Sequence, residues 1–391
     1  MTSTTPTFWT PWRLRWYPRV VLGGMALGWL IFVVSADGPD ALTGRVGGDY
    51  PAFYGAASIV ADGDIDQLYD GARQLRAQEG LFPDDGPGYL HFAYPPYVAA
   101  ALRPLALVDY QLSYVVYTLV MIAALGAAIW LARPLVPLVD RYPLAAMAAG
   151  LAFLPLFKGV GGGQNVAITV LLVVVAWRAV HDGNEIGGGV ALGLLLYKPQ
   201  FALPLMGLYL LRGHWKVAAA GVASGVVLYG AGAALMGGGW VGQWLDAART
   251  FNDVDIDVNG VTSVSIPGTF EHLGWPVSAG FAIAIGLGMG LVWLWWKKRP
   301  SLAVALAVTA PVLVLMSPHS QLYEPGLMLL TVAIVADRFP ADRRWLGLLW
   351  VAGYGHLTAS ALGFNPMIIV VAAVAVWAWS RLVANPVAVP A

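Results

Sequence analysis

The chain has 391 residues, 58% hydrophobic and 11% charged, with no cysteine and a formal net charge of zero. This excludes an ordinary soluble domain, disulfide or thiolate chemistry and a basic nucleic-acid surface, and leaves the redox compartment open. Several apolar runs approach or exceed the ~18 to 20 residues that cross ~30 Å of hydrocarbon, so the expected fold class is an all-α polytopic membrane protein.

The first run, 17–36, follows Arg13, Arg15 and Arg19, which places the tail 1–16 in the cytoplasm. Val34-Ser35-Ala36 also has the small-residue pattern of a signal-peptidase site. An uncleaved helix is the preferred reading, and either reading puts the next residues outside. Residues 37–93 carry ten carboxylates, among them Asp37, Asp40, Asp84 and Asp85, against Arg45, Arg73 and Arg76, a balance of −7. Within them Gly47-Gly48-Asp49-Tyr50-Pro51 reads as a helix start over 50–61, with Asp49 as N-cap and Pro51 in the first turn. A carboxylate near a membrane surface, beside Tyr50 and Tyr54, is also a candidate general base. Asp62, Asp64, Asp66 and Asp70 alternate as if to hold a cation. However, Gln67 occupies the glycine position of an EF-hand loop and Arg73 its closing glutamate, so solvated turns and caps are expected. The six histidines show no HExxH-type spacing, and no metal site is expected.

Residues 94–108, YPPYVAAALRPLALV, are too few to cross upright and read as an amphipathic helix at the outer interface, with proline in its first turn. Spans follow at 110–131, 143–158 and 163–180. Lys158 ends the second of these, just before Gly161-Gly162-Gly163-Gln164-Asn165. That loop lacks P-loop spacing. Either its glycines admit a ligand while Gln164 and Asn165 donate to it, or it is a plain turn. Half-helices 186–197 and 201–211 meet at Lys198-Pro199-Gln200, where proline frees backbone groups that must line a cavity. Lys198 has no carboxylate nearby in sequence, and an ammonium at bilayer depth normally faces water or an anionic partner.

Spans 216–236, 276–296, 300–316, 321–336, 345–362 and 365–382 bring the crossings to twelve. The loop 237–275 carries five carboxylates against Arg249, a balance of −4, and its Asp253, Asp255 and Asp257 alternate as if to hold a cation but are expected in solvated turns and helix caps. His319 lies in MSPHSQ, between two spans. With twelve crossings Arg133, Arg141, Arg178, Arg212, Lys297, Arg343 and Arg381 fall on inner turns and both acidic loops face outward. Lys158, Lys198 and His319 then share the outer face as cations for one anionic ligand, with snorkelling the plain alternative. The chain divides into the tail 1–16, a catalytic module 17–211 with outer loop 37–109, and a module 212–391 with outer loop 237–275.

Read in order, GGDYPAFYGAASIV with LYD, FAYPPYVAAALRPLALV, GGGQN, LGLLLYKPQFALPL and MSPHSQLYE resemble glycosyltransferase family 87. These are polyprenol-phosphate-mannose-dependent α-mannosyltransferases with the membrane-embedded C-type glycosyltransferase fold. The resemblance runs from about Gly47 to Glu324. It implies a hexose, with mannose first, carried on a polyprenyl phosphate and transferred with inversion to a lipid or glycan acceptor at the extracytoplasmic face of the plasma membrane. It implies Asp49 as general base, and Tyr50, Tyr54, Tyr94, Lys158, Gln164, Asn165, Lys198, Gln200 and His319 as substrate-binding residues. No cofactor is assigned, and the acid clusters nearby leave a loosely held divalent cation open. The family's late motif continues SPxSW with a histidine soon after, whereas this chain has Gln321 and then Tyr323-Glu324. Its acceptor contacts therefore differ. The rival class is a transporter or flippase of lipid-linked sugars, which would need no base at Asp49 and often shows internal symmetry absent from this sequence.

Overall fold

A computed structural model describes residues 9–35, 48–79, 81 and 89–384. Asp37, Asp40, Arg45, Gly47, Asp84, Asp85 and Ala36 of the peptidase-like pattern lie outside the described residues. Those described form helices and turns, with no strand among them. In chain order the helices are α1 Pro11–Ser35, α2 Tyr50–Ala61, α3 Gly71–Gln78, α4 Pro96–Leu102, α5 Tyr110–Ala132, α6 Pro137–Arg141, α7 Pro143–Leu151 and α8 Leu154–Gly161. Then come α9 Val166–His181, α10 Glu185–Leu194, α11 Pro199–Leu211, α12 Trp215–Met236, α13 Trp240–Asn259 and α14 Ile266–His272. Last are α15 Val277–Trp293, α16 Leu302–Met316, α17 Leu329–Arg338, α18 Leu346–Gly353, α19 Ala359–Leu362 and α20 Met367–Trp379.

Four stretches are long and apolar enough to cross a bilayer: Tyr110–Leu135, Trp215–Met236, Val277–Lys298 and Met367–Ala384. A fifth is the pair α7 and α8, bent by 76°. The expected span 143–158 is therefore broken, because Phe153 takes an extended backbone and Pro155 starts a new helix. The spans expected at 163–180, 186–197, 201–211 and 300–316 coincide with apolar helices of 10–17 residues. Those at 321–336 and 345–362 are subdivided by the 3-10 turns Glu324–Met328 and Tyr354–Thr358. Helix length thus supports a membrane protein without fixing twelve crossings.

Helix α16 forms the middle of the core, buried on every side from Val304 to Leu315, as a sequence apolar but for Thr309 allows, that hydroxyl being bonded to Trp295 and the Ala305 carbonyl. Helix α12 is its opposite: Val222, Val226 and Val227 point outward from a largely exposed apolar helix, as lipid contact requires. Residues 94–108 fold into α4 and a 3-10 turn that pack on α2, too short to span.

The acidic cluster of the first loop has its own cation. Arg73 donates from Nη2 to Asp62 at 2.6 Å and from Nε to Asp64 at 3.0 Å, while Asp70 caps α3 by accepting from the Arg73 amide at 2.7 Å. The residue that breaks the EF-hand pattern is the one that neutralises it.

Candidate active site

Helix α2 forms where expected, but Asp49 does not cap it. Its side chain makes no bond to the helix amides. Instead the carboxylate accepts from the Gln164 amide, and the Asp49 backbone amide donates to the Gly162 carbonyl at 2.8 Å. The glycine-rich loop therefore admits close backbone approach, and what approaches is the chain's own Gly48-Asp49. Gly48 has φ +55°, and a Cβ there would stand 2.8 Å from both Cα and O of Gly162, so glycine is the residue this turn requires. Tyr114 fixes the same loop by donating to the Gly161 carbonyl at 2.5 Å.

Around Asp49 the residues come from helices remote in sequence. Gln164 and Asn165 are buried just before α9. Asn165 lies beside the Tyr94 hydroxyl, and the Tyr197 hydroxyl meets Thr169 Oγ1 at 2.8 Å. The helix breaks at Lys198 as the sequence indicated: a 3-10 turn ends at Tyr197 and α11 begins at Pro199. Lys198 is 3% exposed, and its ammonium pairs with Glu324, itself 4% exposed. The Tyr323 ring centroid lies 5.9 Å from the same nitrogen.

On the far side Asp255 closes the cluster. It was expected in a solvated turn, and the structure corrects this. The acids at 253, 255 and 257 lie on one helix, α13, where residues two apart point about 200° apart, so Asp255 turns inward while its neighbours stay exposed. It accepts from Gln321 Nε2 at 2.5 Å and from Asn259 Nδ2 at 2.8 Å, with His319 Nε2 at 3.5 Å. Gln321 in turn accepts from the Thr262 hydroxyl.

The electrostatics follow from this burial. Desolvation raises the Asp49 pKa, the Gln164 hydrogen bond pulls it back, and the nearby negative charge of Asp255 adds to the rise. His319 is lowered by burial, which outweighs the pull of Asp255 and Glu324, so its imidazole is neutral at neutral pH. The cluster thus holds three carboxylates against Lys198. Several buried acceptors have no partner: Gln164 Oε1, Asn165 Oδ1 and Glu324 Oε2. A site with unmet acceptors beside a carboxylate of raised pKa suits a ligand rich in hydroxyl donors. Among the described residues no three His, Asp or Glu are grouped to hold a metal ion.

Asp49, Tyr94, Gln164, Asn165, Lys198 and His319 therefore lie in one electrostatically coupled cluster, and Gln200 stands half-buried on the first turn of α11. Lys158 is exposed on α8, and its electrostatic neighbour is His356 rather than this network. Tyr50 and Tyr54 serve packing. The Tyr50 hydroxyl meets Ser113 Oγ at 2.5 Å beneath the rings of Tyr110, Tyr114 and Tyr117, and Tyr54 donates to the Val108 carbonyl at 3.0 Å. Glu324, Asp255, Gln321 and Tyr197 were not among the expected site residues. Glu324 and Gln321 stood out only as departures from the late motif, and Asp255 only as one acid among several.

In comparison with known proteins, residues 92–318 match the family model of Glycosyltransferase family 87, more than half of the chain. No curated protein matches it. The matched stretch contains Tyr94, Gln164, Asn165 and Lys198, begins after Asp49 and ends just before His319.

Proposed function

This chain belongs to glycosyltransferase family 87, and from that premise we propose that it moves a hexose, mannose first, from a polyprenyl-phosphate donor to a lipid or glycan acceptor. The site would face the extracytoplasmic side of the plasma membrane, on a C-type glycosyltransferase scaffold of about twelve crossings. The acceptor hydroxyl loses its proton to Asp49 as its oxygen bonds the anomeric carbon. The bond from that carbon to the phosphate oxygen breaks on the opposite face, so configuration inverts and the polyprenyl phosphate leaves with the electron pair. Lys198 faces the departing phosphate, where positive charge is most effective in a dry site. In the resting protein Glu324 holds that ammonium, and the donor phosphate competes with it. Gln164 orients the Asp49 carboxylate, and Asn165 and Tyr94 border the sugar.

The observation that carries this reading is the Asp49 side chain. It leaves its own helix uncapped, is held by one amide, and is raised in pKa by burial, as a base must be to take a proton near neutrality. The donor class is tested with purified protein, a crude lipid acceptor and two radiolabelled donors, polyprenyl-phosphate mannose and a nucleotide-diphosphate mannose. Label should reach the acceptor from the lipid donor alone. Transfer from the nucleotide sugar, or movement of the lipid donor across vesicles with no transfer, would contradict the proposal.

A further inference from the structure

An apolar cavity lies away from this site. A cavity of about 520 Å³ opens between α1, the C-terminal half of α5, α7, α9, α17 and α18, and its wall includes Tyr17, Leu125, Ala146, Val174, Ala333 and Trp350. Its size falls within the roughly 300–1,000 Å³ of small-molecule pockets, yet its lining has almost nothing to hydrogen-bond a polar ligand. One part of the wall differs. Tyr142 belongs to it, and the guanidinium carbons of Arg15 and Arg141 lie 5.5 and 5.4 Å from that ring centroid. Arg343 is within electrostatic reach of Tyr142, Arg141 and Asp337. Among the described residues neither Arg15 nor Arg141 pairs with a carboxylate, and both are exposed. The carboxylates nearby are engaged: Asp140 by Arg133 at 2.8 Å, Asp342 by Arg381 at 2.7 Å, and Asp337 by the Leu138 amide at 2.7 Å. Trp12 and Trp16 stand exposed on the same turns of α1, the residue type that sits at headgroup level.

We propose that this cavity binds an anionic phospholipid, with its phosphate among Arg15, Arg141 and Arg343 and one acyl chain in the apolar interior. Charge complementarity selects the headgroup, because the three guanidiniums face Asp337 alone of the nearby carboxylates that no arginine pairs, Asp140 and Asp342 being held by Arg133 and Arg381. The depth of the cavity selects a lipid over free phosphate, which would leave it empty. This site is separate from the Asp49 network and does not depend on the reaction proposed for it.

The test is native mass spectrometry of the full chain released from mixed micelles of dioleoyl phosphatidylglycerol and dioleoyl phosphatidylcholine. Phosphatidylglycerol adducts should survive preferentially, and Arg15→Gln with Arg141→Gln should lower their abundance about tenfold or more, at roughly fivefold per lost charge. Ala146→Phe, which fills the cavity and leaves the arginines in place, should also remove the adduct. Both variants should keep wild-type far-UV circular dichroism. Equal retention of the two lipids, or undiminished phosphatidylglycerol in the arginine variant, would overturn the proposal. Displacement of phosphatidylglycerol by equimolar polyprenyl phosphate would overturn it as well, reassigning the cavity to the donor lipid.

Discussion

Lys198 and Glu324 are almost wholly removed from solvent, so the weight of their ion pair appears when one partner is lost. Lys198→Met should destabilise the protein by about 3–5 kcal/mol by leaving a buried carboxylate unpaired, and adding Glu324→Gln should restore most of that loss. Thermal unfolding in detergent checks this, and a single variant as stable as the double would contradict it. Gln164 acts on Asp49 with a definite sign. Its hydrogen bond lowers a pKa that burial raises, so Gln164→Leu should raise that pKa further. Because the base works ionised, the acid limb of the kcat/KM profile should move to higher pH; an unmoved limb would remove Gln164 from the mechanism. At this scale the sequence showed which residues were anomalous and not what they touch. The ammonium at 198 stood out against its apolar surroundings, but its carboxylate lies 126 positions away. No local pattern reveals such a partner.

The elements explain why Asp49 stands where it does. Helix α2 was legible from proline in its first turn and a run of small and aromatic residues, and the break at Lys198 from Pro199. Asp49 leaves the cap open because its carboxylate has a better partner in the loop before α9, a tertiary choice that local capping preferences do not contain. The short turn through Gly48 makes that choice possible by bringing the chain against Gly162. Gly48→Ala puts a side chain at φ +55° and into the Gly162 backbone, so Asp49 must shift. Transfer should fall at least about tenfold, since small displacements of a reacting group are costly in rate, while detergent-solubilised protein still elutes as a single species. Unchanged kcat would show that the close approach is not needed for catalysis. Asp255 teaches a related lesson, because three alternating acids look alike until a helix of 3.6 residues per turn aims one of them inward.

For the whole molecule, composition was enough to read an all-helical membrane protein, and ordered motifs were enough to read the family that the match over 92–318 shows. The number of crossings was less legible. Apolar runs of 10–17 residues serve equally as buried helices, half-helices or bent pairs, and only packing distinguishes them. The same assembly places a carboxylate, an ammonium and unmet acceptors together from α2, the loops before α9 and α11, and the 3-10 turn before α17, an arrangement no single segment holds. In the function proposed, this assembly transfers sugar with Asp49 as the base. The most direct measurement is single-turnover transfer in sealed vesicles loaded with polyprenyl-phosphate mannose, comparing wild type with Asp49→Asn at matched protein and matched donor binding. The variant should bind donor as wild type does and transfer roughly 100- to 10,000-fold more slowly; transfer at the wild-type rate would contradict Asp49 as the base.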